Sequence, residues 1–173
     1  MMKKVITLLL MAVCFATASY GQQAVKVGPL GFLLGNYNLR YEKGISEKSS
    51  VQVGANFYDY NIGDFGTTGF GIDAGYRYYF KQAIKGPYVF PSLNYDFNST
   101  AISSVDDTKG SFSNLGLGAQ IGYQFISKGG FLVDLGLGYG FNVGVSADEA
   151  FDDSRDLGTG GGVRFTFALG YAF

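Results

Sequence analysis

The sequence predicts an all-β fold: an eight-stranded antiparallel up-and-down transmembrane β-barrel. Three observations predict it. First, every second residue from Val163 to Phe173 is large and apolar, while Gly162, Arg164, Thr166, Ala168, Gly170 and Ala172 between them are small or polar. Side chains on a strand alternate faces, so one face of this segment is greasy and the other is not. The run has about the length a tilted strand needs to cross a bilayer, ~9–11 residues. Second, the same period-two pattern recurs along the chain from Ala24 onward. Third, the small and polar face carries Arg40, Glu42, Asp73, Arg77, Asp134 and Arg164. As the core of a soluble sandwich it would bury those charges, each costly unless paired. Turned inside out, the greasy face meets lipid and the polar face lines a lumen. Lipid offers backbone groups no partners, so such a sheet must close, and closure also removes exposed edges.

Composition agrees. Aromatics make up 17% of the chain, all Phe and Tyr, with 27 Gly and only 3 Pro. Many Gly and aromatic residues with few helix formers read as β structure. Mean hydropathy is only +0.12, because alternation averages apolar and polar positions away. One uniform texture over 173 residues implies one domain. A formal charge of −1 gives no reason to expect a nucleic-acid partner.

Residues 1–21 read as a secretion signal. Lys3 and Lys4 precede an apolar core from Val5 to Phe15, and the small residues Ala16, Ala18, Ser19 and Gly21 follow. Cleavage fits after Ala18 or after Gly21; we take Gly21, so that the barrel occupies residues 22–173. The only cysteine, Cys14, lies in the apolar core behind Val13, which does not suit a lipoprotein site. The processed chain would then hold no disulfide and no thiolate metal site.

The elements follow in order. Ala24 to Leu30 begins an alternating strand, and the apolar neighbours Phe32-Leu33-Leu34 between Gly31 and Gly35 break it. Asn36 to Lys43 alternates again, with Tyr37, Leu39 and Tyr41 on one face. Treating residues 24–43 as one strand gives seven strands; splitting them at residues 31–35 gives eight. A barrel with both termini on one side needs an even number, so we split them. Ser50 to Tyr60 presents Val51, Val53, Ala55 and Phe57 outward, and residues 61–66 read as a loop. Thr68 to Phe80 sets Phe70, Ile72, Ala74, Tyr76 and Tyr78 against Asp73, Arg77 and Tyr79. Lys81 to Lys85 is a short basic turn. In Pro87 to Phe97, Pro91 has no N–H for a ladder and marks a bulge or a strained spot. Asn98 to Ser111 reads as a polar loop. Phe112 to Ile126 and Phe131 to Gly144 repeat the scheme, with Gly116, Gly118, Gly122, Gly136, Gly138 and Gly140 on the small face. Val145 to Gly160 is the longest and most acidic loop. Short and long connections alternate, as in barrels with short periplasmic turns and longer outside loops. Tyr37, Tyr41, Tyr78, Tyr95, Tyr139 and Tyr171 suit the interfacial girdles.

Parity along the strands places Lys26, Arg40, Arg77 and Arg164 in the lumen, together with Glu42, Asp73, Asp96 and Asp134. Eight strands leave an interior only wide enough for side chains to fill. A salt-bridged plug is therefore expected, with the glycines making room for long side chains.

Several chemistries are excluded. The chain has no His, which removes His-based triads and His metal sites. No catalytic residue, metal site or cofactor is expected. Gly116-Leu117-Gly118 and Gly136-Leu137-Gly138 superficially resemble phosphate loops, but their period of two makes them strand residues and no helix follows. Asp152-x-Ser154-x-Asp156 resembles the start of a calcium loop, yet Gly158 is misplaced and Val163 stands near the position of the last acidic ligand. A solvated acidic loop is the plainer reading.

Val25-Lys26-Val27-Gly28-Pro29-Leu30, Leu34 to Lys43 and Tyr76-Arg77-Tyr78-Tyr79-Phe80 resemble a family of small, mostly uncharacterised outer-membrane β-barrel proteins of Gram-negative bacteria. The architecture is similar to the OmpA transmembrane domain and OmpX. The aromatic ending, Tyr171 and Phe173, resembles the terminal strand through which such barrels meet the barrel assembly machinery. The resemblance implies the cell outer membrane as location and lipid and lipopolysaccharide as partners. It implies no activity. The expected function is a non-enzymatic, monomeric barrel with a structural or surface-interaction role. A narrow channel and a soluble lipocalin-like binding barrel are the alternatives.

Overall fold

A chain that alternates apolar and small residues can bury neither face alone, and it resolves this here by rolling up. The computed structural model describes residues 22–62, 65–102, 108–147 and 159–173. Eight antiparallel strands close into a barrel in chain order: β1 (Gln23–Val27), β2 (Asn36–Gly44), β3 (Ser49–Ile62), β4 (Phe65–Tyr79), β5 (Gly86–Ile102), β6 (Thr108–Ile126), β7 (Phe131–Ala147) and β8 (Gly160–Ala172). The wall closes where β1 meets β8, Val25 opposite Tyr171 and Val27 opposite Leu169. Gln23 and Phe173 exchange both backbone hydrogen bonds at 2.9 Å. The start of β1, the end of β8 and the three short turns after β2, β4 and β6 share one end, the terminal end. The connections after β1, β3, β5 and β7 share the other, the loop end.

The parity reading holds. Leu137 is 56% exposed, Ile121 68% and Phe165 64%, all on the outside, whereas Arg77 is fully buried inside. Tyr78, Tyr123, Phe125, Phe131 and Tyr171 ring the exterior toward the terminal end; Tyr37, Phe57, Phe97 and Tyr139 lie farther toward the loops. The glycine pairs of residues 116–118 and 136–138 sit within β6 and β7, where Gly122 faces Gly136 and Gly118 faces Gly140.

The first hairpin exists, with one difference. The break at residues 31–35 is a helical turn, α1 (Pro29–Leu33), opened by Gly28 and with Pro in its first turn. Proline suits that position because its missing N–H would have no partner there.

Other boundaries differ as well, with β7 running past the expected Gly144 to Ala147. The strands around residues 61–66 and 98–111 run on, β3 to Ile62 and β4 from Phe65, β5 to Ile102 and β6 from Thr108. The sequence from Asn98 to Ser111 is mostly polar and alternation gives no signal, yet Ser99 and Ser111 still pair across the ladder. Pro91 makes no bulge: Gly75 pairs with Ser92 and Tyr78 with Val89 in one register, and the ladder merely lapses between them. The register shift lies elsewhere, between Ser113 and Asn114, opposite Gly144–Ser146 of β7. Residues 1–21, read as a signal, and the acidic stretch 148–158 lie outside the described residues.

The terminal end is stoppered by an apolar cluster inside the barrel: Ala24, Tyr79, Ile84, Tyr88, Phe90 and Leu132. Ile84 belongs to the β4–β5 turn, which folds into the barrel mouth. Its φ of 55° is a left-handed conformation that a β-branched residue rarely adopts. Ala83 N donates to Glu47 O at 2.7 Å, tying this turn to its neighbour.

Candidate functional site

Among the described residues, charge concentrates in the lumen. Each strand delivers its inward residues to a shared axis, so side chains far apart in sequence meet. Lys26 from β1, Glu42 from β2, Arg77 from β4 and Asp134 from β7 converge just above the apolar stopper, and all four side chains are essentially inaccessible to solvent.

The geometry satisfies most donors and acceptors together, with the buried Arg77 Nε left over. A lysine ammonium has three protons and no acceptor. Lys26 Nζ donates all three, to Glu42 Oε2 at 2.6 Å, Gln124 Oε1 at 3.0 Å and Asp134 Oδ2 at 3.0 Å. Arg77 lies 2.8 Å from Asp134 and 3.6 Å from Glu42, and donates to Gln124 Oε1 at 3.0 Å. Its guanidinium stacks over the rings of Tyr88 at 4.1 Å and Phe90 at 4.6 Å. The carboxylates use their other oxygens as well. Tyr79 donates to Glu42 Oε1 at 2.6 Å and Ser50 donates to the same atom. Tyr88 donates to Asp134 Oδ1 at 2.7 Å. Gln124 Nε2 reaches down to the Ile84 carbonyl at 2.6 Å, joining the charge cluster to the stopper. Two cations thus balance two anions in a water-poor site. Such a cluster is tolerable only because nearly every lone pair and proton finds a partner.

The other four expected charges lie nearer the loop end and are looser. Arg40 Nε is 3.7 Å from Asp73 Oδ1, both partly exposed, and Asn56 donates to Asp73 at 3.0 Å. Asp96 and Arg164 share the lumen without forming an ion pair. Asn94 stands between them: its amide nitrogen bonds Asp96, and its oxygen accepts from Arg164 at 2.8 Å. These residues, with Asn142, Gln120 and Thr166, border a polar cavity of about 280 Å³. The plug therefore has two layers, one dry and ion-paired, the other amide-rich and partly open.

The glycines serve as expected, with an exception. A Cβ at Gly118 or Gly140 would overlap the Arg164 guanidinium, one at Gly136 would meet the Tyr88 hydroxyl, and one at Gly122 would meet both the Tyr88 phenol and the Leu135 backbone carbonyl. At Gly116 it would meet Asn94 and Asn142. Gly138 instead faces the backbone carbonyl of Ala119, so its role is close strand contact and not side-chain room.

Sequence reasoning placed Tyr79 on the inner face but gave it no part, and it assigned none to Gln124, Ser50, Tyr88 or Ile84. The signal for Tyr88 was parity, since it lies two positions from Phe90 on the same face. Ile84 carried no signal, because a turn residue has no strand parity. Tyr171 and Phe173 sit at the closing seam with their rings outward, 56% and 39% exposed.

Solved structures share this fold. The attachment invasion locus protein Ail of Yersinia pestis, in complex with the heparin analogue sucrose octasulfate, superposes with a TM-score of 0.56 at 14% identity, over 90% of this chain and 100% of that one. The N-terminal β-barrel domain of Pseudomonas aeruginosa OprF gives 0.54 at 12% identity, over 88% and 99%. A major outer membrane protein from Thermus thermophilus gives 0.56 at 14% identity, over 90% and 100%. The fold is that of the small eight-stranded outer-membrane barrels. No curated protein matches the sequence. Residues 5–152 match a family described as protein of unknown function, DUF3575, and by that match over most of its length the chain belongs to the DUF3575 family.

Proposed function

We propose that this chain is an integral barrel of the cell outer membrane with a structural or surface-interaction role, acting neither as an enzyme nor as a pore. The observation that carries the reading is the sealed lumen. Lys26, Glu42, Arg77 and Asp134 interlock across the interior, and Ile84, Tyr88, Phe90 and Leu132 are packed with them toward the terminal end. An ion crossing the barrel would have to break a buried charge cluster, which costs several kcal/mol by the usual penalty of ~3–5 kcal/mol for unpairing one buried charge. The apolar exterior supports the location, because exposed side chains such as Leu117, Ile121, Leu137 and Phe165 form a band that water would not tolerate but hydrocarbon would.

With the lumen closed, interaction falls to the outer surface and the loops. Lipid, and lipopolysaccharide at the loop end, are the partners this reading supplies, with the barrel assembly machinery engaging Tyr171 and Phe173. Residues 145–160 carry Asp148, Glu149, Asp152, Asp153 and Asp156 against Arg155 alone. That balance disfavours a polysulfated sugar such as the one bound by Ail, and it leaves lipopolysaccharide phosphates to be met through a bridging divalent cation.

Planar-bilayer recording of the purified protein tests the proposal. It predicts membrane insertion without discrete conductance steps. Reproducible steps at low voltage would replace it with the narrow channel.

A further inference from the structure

The barrel wall is incomplete where β1 ends. β1 has five residues, whereas β5, β6 and β7 have 17, 19 and 17. At ~3.4 Å per residue and a tilt of ~40°, β1 supplies about 13 Å of wall height. The apolar band of such barrels is ~25 Å tall. β8 pairs with β1 only from Leu169 to Ala172, so the stretch Gly160–Ala168 has no β1 beside it. The helical turn α1 occupies that side of the barrel, against β2 and β8.

α1 is apolar and unburied. Leu33 is 83% exposed and Leu34 71%, with Leu30 and Phe32 also open, and no residue of the turn is buried. It is nonetheless well tied. Gly28 N donates to Asn38 Oδ1 at 2.8 Å on the lumen side. Leu34 N donates to Gly31 O at 2.9 Å, and Asp59 N donates to Gly35 O at 2.8 Å. Phe32 stacks on Tyr37 at 5.6 Å, and Tyr37 contacts Phe57 at 6.3 Å. The apolar surface of α1 is therefore continuous with the outward face of β2 and β3.

We infer that α1 is part of the lipid-facing wall: Leu33 and Leu34 sit in the hydrocarbon of the loop-side leaflet and extend the apolar belt above the short β1. The argument combines the height deficit, the continuity with the belt through Phe32 and Tyr37, and the chemistry of the backbone. A helical turn bonds its own peptide groups, so it is the irregular element a bilayer tolerates best beside a truncated strand. The partner is the acyl chain. The inference rests on the reading of the chain as a membrane barrel.

The test uses the full chain made with its own leader and purified from membranes, with Cys14→Ser so that one introduced cysteine is unique. Leu33→Cys and Leu34→Cys are each labelled with an environment-sensitive fluorophore, in nanodiscs holding one barrel. Leu137→Cys in the belt and Ser46→Cys in a short turn are the controls. Retention of heat-modified gel mobility selects folded variants, and two sites keep the test alive if one misfolds. Quenching of positions 33 and 34 by brominated phospholipid, matching position 137, supports the inference. Quenching of 33 and 34 by aqueous iodide, with 137 still quenched by brominated lipid, overturns it and leaves the membrane reading standing. Shielding of 33 and 34 from both quenchers would mean protein covers them, and also overturns it. Iodide quenching at 137 would overturn the membrane reading itself.

Discussion

Arg77 and Asp134 lie 2.8 Å apart at the heart of the lumen, although they come from β4 and β7, strands that do not pair with each other. Their contact spans the interior of the barrel. It therefore holds together parts of the wall that the ladder joins only through intervening strands. Lys26 completes the arrangement, 3.0 Å from the same Asp134 oxygen.

Removing Asp134 should be severe. Asp134→Ala leaves Arg77 and Lys26 with one carboxylate between them and takes the acceptor from Tyr88. Breaking a buried pair by deleting one partner costs roughly 3–5 kcal/mol. Urea unfolding from lipid vesicles should show a loss of that size, with Asp134→Asn less affected because it still accepts from Tyr88. An Ala variant as resistant as the parent would show that the cluster does not stabilise the barrel.

Two glycines in β7 should respond differently to the same added methyl. At Gly138 the new Cβ presses on the Ala119 carbonyl, which is backbone, while at Gly140 it meets the Arg164 guanidinium, which can swing away. Gly138→Ala should cost about 1–3 kcal/mol, the usual range for overpacking. Gly140→Ala should cost less, and an Arg164→Ala background should abolish even that. The midpoint of heat-modified mobility reads both, and equal losses would refute the packing argument.

Ile84 sets packing against backbone strain. Truncating a buried Ile to Ala costs ~2–5 kcal/mol. A left-handed conformation costs an L-residue ~1–2 kcal/mol, which Ala retains and Gly escapes. Ile84→Gly should therefore be no less stable than Ile84→Ala, contrary to the order of the two in an ordinary strand. Urea midpoints of the two variants decide this, and a Gly variant clearly below Ala would mean that the turn is not held at positive φ.

What the sequence made legible follows from the period of two. Phe70, Ile72 and Ala74 against Asp73 and Arg77 permit one assignment of faces, since a one-residue slip moves every side chain to the other side. The eight lumen charges were found this way. Their partners were not, because parity fixes the face of a residue and not its height or its reach across the lumen. Nothing in the parity shows, for example, that Asn94 stands between Asp96 and Arg164. The stopper escaped for a different reason. Leu132 lies between Phe131 and Val133 and reads as one continuous apolar run, and Ile84 enters the barrel from a turn. α1 was visible only as a break, since five residues are too few to display a helical period.

The central claim is that hydrocarbon surrounds this barrel and the charges lie within it. Leu137→Arg tests it most directly, because Leu137 is 56% exposed to whatever the surrounding medium is. Equilibrium folding into lipid vesicles should show a loss of about 2–4 kcal/mol, the cost of an arginine facing lipid near the bilayer midplane. A change within ~0.5 kcal/mol, as at an ordinary water-facing surface, would contradict the account.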